Sequence, residues 1–105
     1  MNAEWVDVGG TNAVSETAPL SVEVDGIAVV IVRCGSELFA VEDRCSHDGE
    51  PLSGAQVEDC QITCPRHGSN FCLRTGEALT PPAYEALRTY RVREENGRIF
   101  MEPPL

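Results

Sequence analysis

The chain has 105 residues, a size that predicts one domain with a single modest core. Its basic residues are all arginines, and its formal net charge is -9. This negative charge disfavours nucleic acids and anionic membrane surfaces as partners. The hydrophobic fraction of 42% suits a globular domain and argues against disorder. The longest apolar run, Ile27 to Val32, has the length of a strand, and the N-terminus lacks the regions of a signal peptide. We therefore expect a soluble cytoplasmic protein without a membrane anchor.

Short β-favouring runs alternate with turn signals along the chain. In chain order, the predicted strands are residues 4–8, 20–24, 27–33, 37–42, 55–58, 60–63, 69–73, 87–93 and 98–102. Hairpin turns are predicted at Asp25-Gly26 and at Asn96-Gly97, where the second residue is glycine. No window shows a sustained helical period. The sequence predicts an all-β architecture of antiparallel hairpins, with residues 1–105 forming one domain.

Two Cys–His pairs stand out because the chain has only two histidines. One residue separates Cys45 from His47, and two residues separate Cys64 from His67. Thiolate and imidazole ligands suit iron or zinc and do not suit magnesium or calcium. One Cys and one His from each of two loops is the ligand pattern of a Rieske [2Fe–2S] centre, in which two Cys hold one iron and two His hold the other.

A structural zinc site is the alternative for the same residues, because two Cys and two His also complete a tetrahedral zinc site. The chain would then be a zinc-stabilised interaction module. Zinc fingers usually pair Cys with Cys and His with His, whereas mixed pairs give each iron of a two-iron cluster one ligand from each loop. The spacing therefore favours the iron cluster.

Three cysteines lie outside the two pairs: Cys34, Cys60 and Cys72. An odd remainder is a poor framework for disulfides. In a reducing compartment these residues are expected to be thiols that act as small buried hydrophobes, without ligating iron and without forming a structural disulfide.

Residues 45–50, CSHDGE, and 64–76, CPRHGSNFCLRTG, resemble the cluster-binding loops of Rieske-type ferredoxins, the electron carriers of bacterial ring-hydroxylating dioxygenase systems. The resemblance implies a Rieske-type antiparallel β-sandwich, with a cluster-binding subdomain formed by loops at about 43–54 and 62–76. The ligands that it implies are Cys45 and Cys64 on one iron of a [2Fe–2S] cluster and His47 and His67 on the other.

Several positions distinguish the chain from respiratory Rieske proteins, whose two loops are joined by a further disulfide. Glu50 and Arg66 occupy the positions of the two cysteines that form that disulfide. The resemblance is therefore to the ferredoxin branch. High-potential members donate hydrogen bonds to the cluster from a serine, kept here as Ser69, and from a tyrosine, replaced here by Phe71. With one donor missing, we expect a potential in the lower half of the Rieske range of roughly -150 to +300 mV. Cys72 stands where the ferredoxin branch often has aspartate.

The function that the resemblance implies is electron transfer without catalysis. No histidine is left after His47 and His67 for the mononuclear iron of an oxygenase, and no G-x-G-x-x-G motif is present. We expect a monomeric one-electron carrier that takes electrons from an NAD(P)H-dependent flavoprotein reductase and passes them to a terminal non-haem iron oxygenase. Docking is expected at the cluster tip, near Asp48 and Glu50. The alternative function is a small Rieske-fold subunit of an assimilatory nitrite reductase.

Overall fold

The computed structural model describes residues 4–45, 51–52, 55–65, 68–81, 83 and 85–104. Within these residues the chain forms strands and one 3₁₀ turn at Thr11–Ala13. The strands are β1 Val6–Gly10, β2 Leu20–Val24, β3 Ile27–Cys34, β4 Glu37–Glu42, β5 Gln56–Glu58, β6 Gln61–Thr63, β7 Asn70–Cys72, β8 Thr89–Tyr90, β9 Val92–Glu95 and β10 Arg98–Met101. The predicted all-β class is confirmed. No helix in the described ranges is long and apolar enough to cross a membrane.

The strands form three antiparallel sheets. The outer sheet has the order β1-β10-β9, the central sheet has the order β2-β3-β4-β8, and the small sheet has the order β5-β6-β7. Most neighbours are consecutive in the chain, as expected for hairpins joined by short turns. The pairing of β1 with β10 joins the two ends of the described chain.

The central sheet is packed on both faces, because successive side chains of a strand point to opposite sides. One cluster, the small-sheet core, joins it to the small sheet and includes Val30, Val32, Val41, Ile62, Phe71 and Leu73. A second cluster, the outer-sheet core, joins it to the outer sheet and includes Val24, Val29, Ile31, Ala40, Ile99 and Met101. Burial on both faces explains why β3 is apolar at consecutive positions and does not alternate.

The predicted hairpin turns are present. Asp25 and Gly26 have φ of 51° and 81°, and Asn96 and Gly97 have φ of 52° and 78°. Positive φ at both central residues is the geometry of the two-residue type I′ turn, which fits the right-handed twist of the flanking strands. The turn between β5 and β6 has the same signs of φ without a glycine.

Two strand predictions differ from the structure. The predicted strand 87–93 is divided between β8 in the central sheet and β9 in the outer sheet, with Arg91 at the crossing. The apolar pattern does not reveal this crossing, because residues on both sides of it pack into the outer-sheet core. The first strand also continues through Gly9 and Gly10, beyond its predicted end at residue 8, and its register with β10 shifts between Asp7 and Gly9.

The expectation of free thiols is wrong for two of the three remaining cysteines. Cys34 and Cys60 form a disulfide with their Cα atoms 5.5 Å apart, whereas Cys72 is free. Alternation along β3 places Cys34 on the same face as Val32, toward the small sheet, and the β5–β6 turn brings Cys60 opposite it. This proximity depends on the packing of two sheets and is not visible in a sequence separation of 26.

Candidate metal centre

Two predicted ligands, Cys45 and Cys64, lie buried in the same core cluster. Cys45 follows the end of β4 closely, and Cys64 directly follows β6. Neither forms a disulfide, each is 1% exposed, and both belong to the small-sheet core. Strands therefore position both thiols, although the residues are far apart in the chain. Two buried thiols that form no disulfide fit the chemistry of the two thiolate ligands of a [2Fe–2S] cluster.

The loop after Cys64 turns back on itself between β6 and β7. The Cys64 N–H donates to the Ser69 carbonyl oxygen at 2.8 Å, and the Gly68 N–H donates to the Cys64 carbonyl oxygen at 3.0 Å. Gly68 has φ of 76°, a conformation that is unfavourable for a residue with a side chain. These bonds fix the backbone on both sides of the second Cys–His pair.

The first loop is held at both ends by contacts that sequence analysis missed. The Asp43 N–H donates to the Ala28 carbonyl oxygen at 2.9 Å, and the Asp43 carboxylate accepts the Leu52 N–H at 2.6 Å. Leu52 is fully buried in the same core as Cys45. An aspartate after a strand often accepts backbone N–H groups close to it in sequence, but Leu52 lies nine residues away, so no local signal identifies this contact.

His47 and His67 lie outside the described residues, as do Asp48, Glu50 and Arg66. Their roles stay predictions. In the ranges that the structure does describe, no group of three or more His, Cys, Asp or Glu side chains could hold a metal. The described residues thus bring together the cysteine half of the predicted ligand set, and the histidines would have to complete it.

An all-β domain with two buried cysteines at the bases of two loops is compatible with a small iron–sulfur protein. Comparison with known proteins agrees, since the family model described as Rieske [2Fe-2S] domain matches residues 4–91. The chain belongs to this family. The family carries a [2Fe–2S] cluster, which confirms the predicted cofactor and opposes a zinc-stabilised module.

Three relatives identify the branch of the family. The 3-phenylpropionate/cinnamic acid dioxygenase ferredoxin subunit of Escherichia coli (strain K12) is 42% identical over 77 residues, which cover 72% of this chain and 73% of the relative. The ferredoxin of carbazole 1,9a-dioxygenase from Nocardioides aromaticivorans IC177 is 28% identical with a TM-score of 0.91, over 97% of this chain and 100% of that one. A chain from a complex of reduced oxygenase and oxidized ferredoxin in carbazole 1,9a-dioxygenase is 25% identical with a TM-score of 0.86, over 93% and 92%. The predictions of a ferredoxin and of an electron-transfer component rather than an enzyme are confirmed, and a nitrite reductase subunit is disfavoured.

The Ser69 hydroxyl is the buried polar group nearest in sequence to the second Cys–His pair. Ser69 is fully buried, and its Oγ accepts the Ala83 N–H at 3.2 Å. Because the oxygen is an acceptor in this bond, the hydroxyl proton is available for a second partner. Phe71 is also fully buried and offers no hydroxyl. Ser69 is therefore the residue of the predicted donor pair that can donate to a cluster sulfur.

Ser69→Ala is expected to lower the midpoint potential of the cluster, because a hydrogen bond to a cluster sulfur favours the reduced state. It also leaves the Ala83 N–H without its acceptor, which should lower the free energy of unfolding by about 1–3 kcal/mol. Voltammetry and urea unfolding measure the two effects. Ser69→Thr keeps a hydroxyl and should retain most of the wild-type potential. A Ser69→Ala protein with the wild-type potential would show that the proton points elsewhere.

Cys72 ends β7 and accepts hydrogen bonds from the turn that follows. The bond from the Thr75 side chain, together with bonds from the backbone of Thr75 and Arg74, lowers the pKa of the Cys72 thiol, although burial and Glu77 act in the opposite direction. The Gly76 N–H donates to the Cys72 carbonyl oxygen at 2.7 Å and closes the turn. An aspartate side chain could accept the same hydrogen bonds from the turn.

Cys72 is expected to be the one thiol that iodoacetamide modifies in the native cluster-loaded protein. Cys34 and Cys60 are bonded to each other, and Cys45 and Cys64 are buried. Because the thiolate is the nucleophile and its pKa is lowered, the alkylation rate should reach half its maximum at a lower pH than for free cysteine. Mass spectrometry across pH values measures the rate, and Thr75→Val should move the midpoint upward. Modification of a second thiol at a similar rate would contradict the assignment.

Proposed function

We propose that this protein delivers single electrons to a terminal non-haem iron oxygenase of a ring-hydroxylating system, after receiving them from an NAD(P)H-dependent flavoprotein reductase. The observation that carries the proposal is the burial of two cysteines that form no disulfide, Cys45 and Cys64, in one core of a chain that belongs to the Rieske family. The relatives support the oxygenase as the electron acceptor, since they are named as ferredoxins of dioxygenases and one was solved with its oxygenase.

The proposed ligands are Cys45 and Cys64 on one iron and His47 and His67 on the other. When bound, the cluster supplies reversible one-electron storage. The chain's own contribution is to hold the thiols at the bases of two loops and to exclude water behind them with the apolar small-sheet core. His47 and His67 are proposed as the place where electrons enter and leave. Residues 1–105 act in this proposal as one monomeric domain in the cytoplasm.

The direct test is reconstitution with purified reductase and oxygenase. Low-temperature EPR of the dithionite-reduced protein should show a Rieske-type [2Fe–2S] signal. Stopped-flow absorbance should then show reduction by the reductase and reoxidation by the oxygenase. Stable co-purification with a sirohaem protein, together with no electron transfer to any oxygenase, would support the nitrite reductase alternative.

The charge of the protein predicts how docking depends on salt. Weak redox interfaces are small, below about 1,200 Å² in total, so long-range attraction contributes strongly to the association rate. With a net charge of -9 the protein should be attracted to basic patches on its partners. Reversing Asp48 and Glu50 to Lys should slow electron transfer mainly through association. Wild-type rates should fall as rising salt shortens the Debye length from about 30 Å to about 8 Å.

A matched control reverses two charges at the other end of the molecule. Glu58 adjoins the β5–β6 turn, at the opposite end of β6 from Cys64. Glu95 is next to Glu94, whose carboxylate pairs with Arg33 near the far end of β3, at 2.9 Å. Glu58→Lys with Glu95→Lys changes the net charge by the same amount but should slow association less. Equal rates for both double variants would show that docking does not use the cluster tip.

A further inference from the structure

The Cys34–Cys60 disulfide joins the sheet that carries the second cluster loop to the central sheet. Cys34 ends β3 of the central sheet, and Cys60 lies in the turn between β5 and β6 of the small sheet. The bond closes a ring with a sequence separation of 26, and that ring contains β4 and Cys45. A covalent bond therefore limits how far the small sheet can move from the central sheet.

The turn that carries Cys60 has an unfavourable backbone conformation, and the disulfide helps to hold it. Asp59 and Cys60 have φ of 53° and 57°, both in the left-handed region. Within the described ranges, two other turns have positive φ at both central residues, and both have glycine at the second position, Gly26 and Gly97. Glycine adopts positive φ without the steric penalty of a Cβ. Such a conformation persists when surrounding structure fixes it. Here the disulfide and the bond from the Leu73 N–H to the Cys60 carbonyl oxygen, at 3.0 Å, do so.

The position of the disulfide separates it from the ligands while leaving it open to reagents. Cys34 and Cys60 are both half-buried. Cys60 precedes β6 and Cys64 follows it, so the two residues lie at opposite ends of one strand. Disulfides of proteins in reducing compartments are usually transient and redox-sensing. The bond can thus be opened without changing the proposed ligand set.

We propose that the Cys34–Cys60 bond is a reversible clamp that slows loss of the cluster while it is closed. A reduced dithiol opens the clamp, and exchange with the disulfide form of such a dithiol closes it, which returns two electrons and two protons to the dithiol. The inference rests on the proposed cluster site. In the opening reaction, one thiolate of the dithiol attacks a sulfur of the bond and forms a mixed disulfide, and the second thiolate then displaces the protein. The dithiol becomes a cyclic disulfide, and the protein gains two electrons and two protons as two thiols.

The clamp acts by restricting the chain around the first loop. A disulfide that closes a loop of this size typically changes the folding equilibrium by roughly 30-fold to several hundred-fold. Only part of this effect applies to the opening of the small sheet that releases the cluster. We therefore expect the rate of cluster loss to rise on the order of tenfold when the bond is reduced.

The test compares cluster loss from the oxidised holo-protein with and without dithiothreitol, in excess iron chelator, by visible absorbance. The dithiol should accelerate the loss. Cys34→Ser with Cys60→Ser should lose the cluster quickly whether or not the dithiol is present. Cys72→Ser is the control that keeps the bond, and it should respond like wild type. Alkylation and mass spectrometry, before and after reduction, count the thiols that the reaction produces.

Several outcomes would overturn the clamp: equal rates with and without the dithiol, a double variant that still responds to it, or oxidised protein in which Cys34 and Cys60 are alkylated without reduction. A readout that needs no cluster separates this inference from the proposed function. Reduction should lower the melting temperature of the apo-protein on the order of 10 °C, with no change for the double variant. Absence of any [2Fe–2S] signal would contradict the proposed function and leave this thermal test valid.

Discussion

Cys64→Ser is expected to give a protein that lacks the [2Fe–2S] spectrum and most of its iron. Cys64 is 1% exposed and packs in the small-sheet core, so no water can replace the lost ligand without opening that core. A serine oxygen is a harder and less acidic donor than a thiolate and binds iron–sulfur clusters poorly. Cys45→Ser should have the same effect for the same reason. Iron analysis, visible absorbance and EPR measure the result.

The histidine variants His47→Ala and His67→Ala should also lose or strongly alter the cluster, because each would remove one ligand from the second iron. Since metal binding contributes to folding, all four variants should be less stable than wild type. Cys72→Ser is the control, because the Cys72 sulfur accepts hydrogen bonds from the turn that follows β7 and is not expected to ligate iron. Full iron content with an unchanged spectrum in any one of the four variants would remove that residue from the ligand set.

Phe71→Ala should destabilise the fold more than truncation of any other aromatic residue that the structure describes. Phe71 is fully buried, pairs with Ile62 on β6 and forms a bridge with Ala78. Truncation removes its buried area and leaves a cavity between the small and central sheets, which should lower the free energy of unfolding by about 3–5 kcal/mol. Urea unfolding of the holo-protein, followed by circular dichroism, measures the change.

Phe100→Ala provides the comparison in the outer sheet. Phe100 is half-buried and lies under the Arg93 guanidinium, 5.8 Å from its ring centroid. Its truncation should lower the free energy of unfolding by clearly less, because part of the ring already faces water and no enclosed cavity forms. Phe71→Leu keeps most of the side-chain volume. It should lower the free energy of unfolding by less than about 1.5 kcal/mol if the site repacks. Equal losses for Phe71→Ala and Phe100→Ala would contradict the role assigned to Phe71.

Local patterns in the sequence predicted most strands and the hairpin turns at Asp25-Gly26 and Asn96-Gly97. Strands 20–24 and 37–42 have the predicted bounds, because apolar alternation follows the two faces of the central sheet. The crossing at Arg91 was missed, because both flanking strands contribute to the same core and local periodicity does not identify the sheet. Pairing between sheets depends on contacts distant in sequence, and the Cys34–Cys60 bond was missed for that reason.

Part of the candidate site could also be predicted from the sequence, but for a different reason. Metal ligands are constrained by chemistry to a few residue types at short spacing, so the Cys–His pairs could be recognised without a structure. Burial of Cys45 and Cys64 in one core agrees with that prediction. The contact between Asp43 and Leu52 has no such signature, because nothing local shows which backbone N–H an aspartate will accept.

The packing of β3 on both faces has a consequence for the order in which the molecule comes apart. Val30 and Val32 belong to one core, whereas Val29 and Ile31 belong to the other, so a single strand is shared between two hydrophobic layers. Loosening of the small sheet exposes one side of β3 and leaves its pairing with β2 and β4 intact. Local opening of this kind costs less than global unfolding. In native-state hydrogen exchange, the amides of β3 should therefore exchange only through global unfolding, and those of β5 to β7 should exchange sooner.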